Sequence, residues 1–308
     1  MVELSIITVN YNGLHDTCAL IETIPFNEFS LEVIVVDNAS KENEAAIISK
    51  RYPQVKAIRS DKNLGFAGGN NLGIKAAQGK YLFFINNDTV FKYNNLKITA
   101  TAFQSLINRL DSSKEMGMLC PKIRFAWDDN PIQFAGFTPL SRITLRNSSI
   151  GYGEKDQGQH NTAHPTPYVH GAAMLVKREA MEKVGMMPEC YFLYYEELDW
   201  SMMFTRAGYS IYYEPACTIY HKESQSTGSC SPLKTYYLTR NRLIFSKRNI
   251  PMPQRLLTYT YLISLVALRD ICKYTFQRRT DLSKAVLKGV NDFLHNRQGP
   301  LPTKNIHA

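Results

Sequence analysis

Gly79-Lys80-Tyr81-Leu82-Phe83-Phe84-Ile85-Asn86-Asn87-Asp88-Thr89-Val90 is the stretch on which the reading of the chain turns. Tyr81 to Ile85 is an unbroken β-prone apolar run, the pattern of a strand covered on both faces. It ends abruptly in two amides and a carboxylate. Open α/β sheets place ligands at the carboxyl ends of such strands. Asp88 is a hard oxygen donor, and Asn86 and Asn87 add amide oxygens, a set suited to Mg²⁺ or Mn²⁺ rather than to a thiolate metal. Taken alone, Asn-Asn-Asp is also ordinary turn chemistry.

The neighbouring strands favour the ligand reading. Leu4 to Val9 runs into Asn10-Tyr11-Asn12-Gly13, and Leu31 to Val36 runs into Asp37-Asn38-Ala39-Ser40. A short third strand, Val55 to Ser60, is followed by the glycine-rich stretch Asn63 to Asn71 and a helix to Ala77. Strand alternating with helix predicts an α/β fold with a mostly parallel central sheet flanked by helices. The polar clusters then gather along one sheet edge. Capping of the following helices accounts for Asp37 and Ser40, but not for the fourth strand ending in the same way. Bare amides between Asn63 and Asn71 suit a pyrophosphate. The spacing is neither G-x-G-x-x-G nor a P-loop, which counts against a nicotinamide-dependent oxidoreductase.

Further along, a helix is predicted from Leu96 to Leu110 and a strand from Met116 to Phe125, with loops and short strands over 126–166. Another strand covers Tyr168 to Arg178. Glu196, Glu197 and Asp199 lie within four residues, beside Tyr191 to Tyr195 and at the start of a helix. Acids there suit the helix dipole. The aromatic surroundings also raise a carboxyl pKa toward the range of a general base. His221 closes the apolar run from Ala216 and precedes a polar loop to Ser231, which marks it as a metal ligand or phosphate contact.

The 308 residues carry a net charge of +9, unevenly spread. Residues 231–308 hold 14 Lys and Arg against three Asp and no Glu, a net of +11, and the first 230 residues carry −2. Such a tail fits an anionic membrane, a phosphate-bearing partner or nucleic acid, or is a solvated basic face. Its apolar run, Leu256 to Leu268, falls short of a bilayer span and suits a core-facing or interfacial helix. The six cysteines show no metal spacing and read as reduced thiols of a cytoplasmic protein.

In order and spacing these motifs resemble the inverting family-2 glycosyltransferases of the GT-A fold, nearest the rhamnosyltransferase-like branch. The likeness runs from Ser5 to about Ser226. It includes Ile6 to Asn12, Val33 to Ser40, Asn63 to Gly73, Asn86 to Thr89, His170 to Ala173, Phe192 to Trp200 and Arg206 to Tyr209. Tyr237 to Arg242 is also similar to a segment of that branch. The resemblance implies a catalytic domain over 1–230, with a nucleotide-sugar half to about residue 90 and an acceptor half beyond it. The basic helical extension, 231–308, follows.

The resemblance implies a role for Asp37 in reading the base of a UDP- or dTDP-sugar, and for Asn63, Gly65, Gly69 and Asn70 near the nucleotide and donor sugar. Asp88 becomes the main ligand of Mg²⁺ or Mn²⁺, completed by His221. Glu197 becomes the base that deprotonates an acceptor hydroxyl for a single inverting displacement. Thr8, Asn10, Tyr11, Asn86, Asn87, His170, Gly171, Glu196, Asp199 and Trp200 fall in the substrate site. Two positions depart from the family pattern: Asn86 replaces the first carboxylate of the D-x-D motif, and Glu197 stands where Asp is usual. Asp199 or Glu196 therefore remains a candidate to share the base role. The implied partners are a nucleotide-sugar donor and a saccharide acceptor, lipid-linked at the cytoplasmic membrane face during surface polysaccharide synthesis. Rhamnose is the first candidate sugar, and no nucleic acid is expected. An inactive relative and a nucleotide- or nucleic-acid-binding module on the same sheet are the rival readings; the chain lacks the basic-aromatic groove of the latter.

Overall fold

The structure is a computed structural model that describes residues 2–301 except 94, 128 and 224–230. The first half alternates as expected. Strand β1 (Leu4–Asn10) leads to helix α1 (Leu14–Ile21), β2 (Leu31–Asp37) to α2 (Glu44–Arg51), and β3 (Val55–Arg59) to α3 (Gly65–Ala76). Then come β4 (Tyr81–Ile85), the short β5 (Thr89–Val90) and α4 (Leu96–Asp111). The helix starts have local causes. The Asn43 side chain accepts the Ala46 N–H to cap α2, and Asn95 accepts the Lys97 N–H to cap α4.

The second half holds β6 (Met116–Phe125), β7 (Ile132–Phe134), β8 (His164–Pro165), β9 (Ala173–Lys177), α5 (Arg178–Val184), α6 (Glu196–Arg206) and β10 (Ser210–His221). The sheet order is β3-β2-β1-β4-β9-β6-β10-β5. Strands β1 to β4 pair in parallel, as does β6 with β10. The sheet is less parallel than the rhythm of its first half suggests, because β9 enters between β4 and β6 antiparallel to both. The apolar run from Ala216 to His221 is the second part of one bent strand, β10, whose register against β6 shifts between Glu214 and Thr218. The strand expected from Tyr168 begins only at Ala173, and the chain before it turns through the His170–Ala173 bridge.

Every residue of β4 is buried. Phe83 meets Phe103 of α4 edge to face at 5.8 Å, and Phe84 meets Trp200 of α6 at 5.5 Å. At about 1.5–3 kcal/mol for each fully buried large apolar side chain, this strand anchors both layers. Trp200 is thus a core residue: it is fully buried, and its indole N–H donates to the Gly185 carbonyl.

The glycine-rich stretch differs most from expectation. It is no loop: Gly65 to Asn71 already lie in α3. The glycines serve close packing, since a Cβ on Gly73 would lie 2.4 Å from Ile7 Cγ2, and one on Gly69 would lie 2.9 Å from both Val9 methyls. The first amides of the helix are satisfied within the protein. Leu64 N–H donates to Asn38 Oδ1, Gly65 N–H to Asn63 Oδ1, and Phe66 N–H to the Phe192 carbonyl.

Beyond the described gap, α7 (Pro232–Asn249) opens on Ser231, whose side chain accepts the Lys234 N–H. Helix α8 (Gln254–Thr260), a π-helical segment (Tyr261–Ala267), α9 (Leu268–Phe276) and α10 (Thr280–Leu294) complete the chain. The apolar run 256–268 does both things considered for it. Leu262 and Ala267 are buried, whereas Leu256, Leu257, Leu265 and Leu268 are exposed. Among the described residues no helix is long and apolar enough to cross a membrane. Part of the basic excess of the tail is engaged in contacts within the protein, and much of the rest is exposed. Arg240 is buried, Arg248 pairs with Asp199, and Lys288 and Arg297 pair with Asp292.

Gly65 couples the two halves, with φ +73° and the position of an added Cβ only 2.1 Å from the Phe192 carbonyl oxygen. Replacing Gly65 with Ala combines overpacking against backbone with a left-handed conformation, about 2–4 kcal/mol together. The expected outcome is a clear fall in the midpoint of urea unfolding, whereas Gly153→Ala, with open space around its Cβ position, keeps only the smaller conformational cost.

Candidate active site

The parallel register brings the strand ends together as the sequence implies. Asn10 stands opposite Asp37, and Asp37 opposite Arg59. Polar side chains then bind the loops to one another. Asn10 Nδ2 donates to Glu44 at 2.6 Å, and Asn10 Oδ1 accepts from Thr17 Oγ1, which in turn accepts from Asn87 Nδ2 at 3.0 Å. Asp37 is fully buried and its carboxylate is heavily engaged. It accepts from the Ser40 and Ala45 amides and pairs with Arg59 at 2.7 Å. Thr8 is buried, and among the described residues its hydroxyl has no hydrogen-bond partner. Tyr11 is 52% exposed at the rim. Asn63 holds the Asn38 amide and the start of α3, and Asn70 Nδ2 bonds back to the Phe66 carbonyl within the helix.

A second group forms at the end of β4. Asp88 and His221 are both buried, with Asp88 Oδ1 3.2 Å from His221 Nε2. Asn86 Nδ2 lies 3.5 Å from the same nitrogen. His221 reaches this point because the last residues of β10 pair with Val90 and Thr89 of β5. Its Nδ1 faces Gln133 Oε1 at 2.9 Å. With Nδ1–H donating to that oxygen, the Nε2 lone pair is left facing the Asp88 carboxylate. An outer contact of this kind fixes the tautomer of a metal-bound histidine. Gln133 on β7 was invisible in the sequence, where it lies in a stretch expected to be loops and short strands.

Among the described residues no three His, Cys, Asp or Glu side chains group closely enough to enclose a metal ion. One carboxylate and one imidazole converge instead. This fits a Mg²⁺ or Mn²⁺ that takes its remaining oxygens from water and phosphate, the usual arrangement for these ions at phosphate sites.

The carboxylates of α6 stand across the loop that follows Val169. The Asn86 N–H donates to the Ala172 carbonyl, which ties the end of β4 to that loop. A Cβ on Gly171 would meet Glu197 Cγ at 3.8 Å and Phe66 Cζ at 3.9 Å. His170 accepts the Ala172 N–H on Nδ1, and its ring lies 6.4 Å from that of His221. Burial, with the nearby His221, pushes His170 down to about 3, so it is neutral. Burial also raises Glu197, to about 6. Glu196 is raised well above the carboxylate range, first by burial and then by the charge of Glu197. One of its oxygens is buried with no hydrogen-bond partner among the described residues. The pair therefore splits into a neutral Glu196 and an ionisable Glu197.

Asp199 does not join them. It is fully buried and held by Tyr191 Oη at 3.0 Å, Asn249 Nδ2 at 2.8 Å and the Arg248 guanidinium. Its three partners leave it no route to an acceptor hydroxyl. The aromatic loop before α6 is held from the tail. Asn241 Nδ2 is within hydrogen-bond distance of the carbonyls of Tyr191, Leu193 and Tyr194, and Arg240 also donates to Tyr191. Of these contacts, the sequence hinted only at the Arg240-Asn241 segment.

Comparison with known proteins bears on the family and the fold. Residues 5–185 match the glycosyl transferase family 2 domain. Over 96% of its length the chain is 25% identical to the low-salt glycan biosynthesis hexosyltransferase Agl10 of Haloferax volcanii, covering 92% of that protein. Over 73% of its length it is 24% identical to an N-acetylglucosaminyl-diphospho-decaprenol L-rhamnosyltransferase of Mycobacterium tuberculosis, covering 78% of it. Two solved structures share the fold. GalNAc-T7 with UDP, GalNAc and Mn²⁺ matches with a TM-score of 0.60 at 12% identity, over 87% of this chain and 57% of that one. The Pyrobaculum calidifontis mannosyltransferase PcManGT with GDP-Man and Mn²⁺ matches with a TM-score of 0.56 at 12% identity, over 96% and 88%. The mixed sheet with its polar strand ends is a GT-A glycosyltransferase scaffold, and the chain belongs to glycosyl transferase family 2.

Proposed function

We propose that this glycosyltransferase moves a hexosyl unit, rhamnose being the first candidate, from a UDP- or dTDP-sugar to a lipid-linked saccharide with inversion. Residues 1–230 form the catalytic part, and 231–308 support it and face the membrane. The observation that carries the reading is Glu197, a carboxylate beside Gly171 in the loop whose Ala172 carbonyl accepts the Asn86 N–H, with burial raising it to about 6. The relative named for a diphospho-decaprenol acceptor supports the lipid-linked substrate.

Glu197 takes the acceptor hydroxyl proton as that oxygen attacks the anomeric carbon. A carboxylate with its pKa near 6 is a better base at neutral pH than an ordinary one and is still largely ionised. Glu196, neutral beside it, leaves the local negative charge on Glu197. Gly171 keeps the space before that carboxylate clear of a side chain. Asp88 and His221 hold a divalent cation which, when bound, neutralises charge on the departing diphosphate. Gln133 orients His221 for that role. Asn10, Asp37 and Asn63 shape the donor end through the loops they hold, and Tyr11 is the exposed aromatic at its rim.

Glu197→Gln keeps the size and removes the basicity. Turnover should fall by about 10²–10⁴-fold with donor affinity unchanged by calorimetry. Below about pH 6 the activity of the unaltered protein should drop close to tenfold per pH unit as Glu197 gains its proton. A flat profile across that range, or a fully active Glu197→Gln, would sink the assignment.

Glu196 gives a separate stability test. Its carboxyl is raised in the folded state, so the associated stability is intact below the ordinary carboxylate range and is lost as pH rises toward the raised value. Glu196→Gln should therefore melt about 2–4 °C higher than the unaltered protein at pH 8, and at the same temperature at pH 4.

Asp88→Ala removes the hard ligand. Transfer should fall at least about a hundredfold, and calorimetric Mn²⁺ binding in the presence of UDP should vanish with the far-UV spectrum unchanged. Full transfer in EDTA would count against the metal role.

A further inference from the structure

A cavity of about 240 Å³ lies among α7, the π-helical segment, α9 and the loop around Arg146. Its walls combine two chemistries. Arg146, Arg242 and Arg269 line it, together with Leu238, Leu262 and Val266. The one carboxylate in its lining, Asp270, is already bound by Arg269 at 2.6 and 2.9 Å. Arg242 donates one Nη to the Thr144 carbonyl, and its Nε is buried with no hydrogen-bond partner among the described residues. Arg146 lines the same cavity as Arg242. Two neighbouring guanidinium groups, one with an unmatched buried N–H, form a site for an anion that accepts several hydrogen bonds.

The apolar part continues outward. Leu262, Val266 and Arg269 follow one another at helical spacing into the cavity, while Leu265 and Leu268 on the adjoining face are 62% and 55% exposed. The cavity is linked to the start of α6 by packing: Tyr195, two residues before Glu197, lies against the apolar cluster that contains Leu243 and Leu262 of the cavity wall.

Building on the lipid-linked acceptor proposed above, we infer that this cavity binds the acceptor's diphosphate, with its apolar chain leaving over Leu265 and Leu268. The guanidinium groups take the phosphate oxygens and the leucines take the chain. The saccharide end then reaches past Tyr195 toward Glu197. A free phosphate would use the arginines but not the leucines. A bilayer phospholipid would use both, but without any need for a pocket linked to the start of α6.

The test uses the full chain and farnesyl diphosphate as probe, in EDTA so that no divalent ion holds the probe at the donor end. Calorimetry should show saturable binding at least tenfold tighter than that of inorganic pyrophosphate or of farnesol. Arg146→Gln, an exposed loop substitution, and Arg242→Lys, which keeps the charge and loses the fork, should each weaken it at least tenfold. UDP with Mn²⁺, measured in parallel, should bind both variants as it binds the unaltered protein. The inference is overturned if farnesyl diphosphate does not saturate, or if both variants bind it as well as the unaltered chain does. Equal affinity for inorganic pyrophosphate overturns it in favour of a simple anion site. Displacement by anionic phospholipid vesicles at equal phosphate concentration overturns it in favour of a headgroup site. The broader acceptor reading fails by a different result: transfer to a soluble saccharide and none to a diphosphate-linked one, whatever the probe does.

Discussion

The site depends on a backbone that does not hold itself. Phe192, Tyr194 and Tyr195 all have positive φ, at 69°, 69° and 80°. For residues with a Cβ this costs on the order of 1–2 kcal/mol each. Fixed contacts from elsewhere in the chain offset it. Asn241 reaches three carbonyls of the loop, Arg240 bonds to Tyr191, and the Phe66 amide donates to Phe192. These contacts aim the first turn of α6, and with it Glu197, toward Gly171. Glu197 is set in place by residues more than forty positions downstream and by one helix more than a hundred positions upstream.

Asp199 extends the same constraint. A fully buried carboxylate is costly unless paired and hydrogen-bonded, and here Tyr191, Arg248 and Asn249 surround it. The contact joins α6 to the end of α7. Part of the basic charge in residues 231–308 thereby becomes internal structure. Two more of its arginines, Arg242 and Arg269, line a cavity with an apolar wall, together with Arg146 from the preceding part of the chain. The extension thus supports the loop before α6.

Two adjacent glutamates illustrate how position divides like groups. Glu196 points into the protein and Glu197 toward the cleft loop. Burial raises both, and the charge of Glu197 then raises Glu196 further. A like pair that close does not ionise together at low cost. The proton stays on the more buried member, and the other is left ionisable. On the facing side, a single carboxylate and a single imidazole make a sparse donor set. This agrees with Asn86 standing in place of a carboxylate; a cation held there would take most of its ligands from phosphate oxygens and water.

The strands β1 to β4, their order in the chain and their polar ends were legible in the sequence. Each is a local pattern: an apolar run of strand length, a sudden polar cluster, then a helix. The same patterns marked Asp88, and the sequence also marked His221 and the acids Glu196, Glu197 and Asp199 as a group, with Glu197 singled out by the family resemblance; the parallel register does bring the strand ends together. Other features were decided only in three dimensions. The glycines from Gly65 to Gly73 suggest a loop, yet they form a helix, because their bareness lets α3 lie against β1. Asp199 resembles its neighbours Glu196 and Glu197 in sequence but lies about half a turn of α6 from Glu197, and there it meets Arg248. Gln133 carries no signal at all, since its role exists only once β10 delivers His221 beside β7. Local periodicity writes the elements into the sequence. Which polar group meets which depends on contacts between residues far apart in the chain, and no local pattern records them.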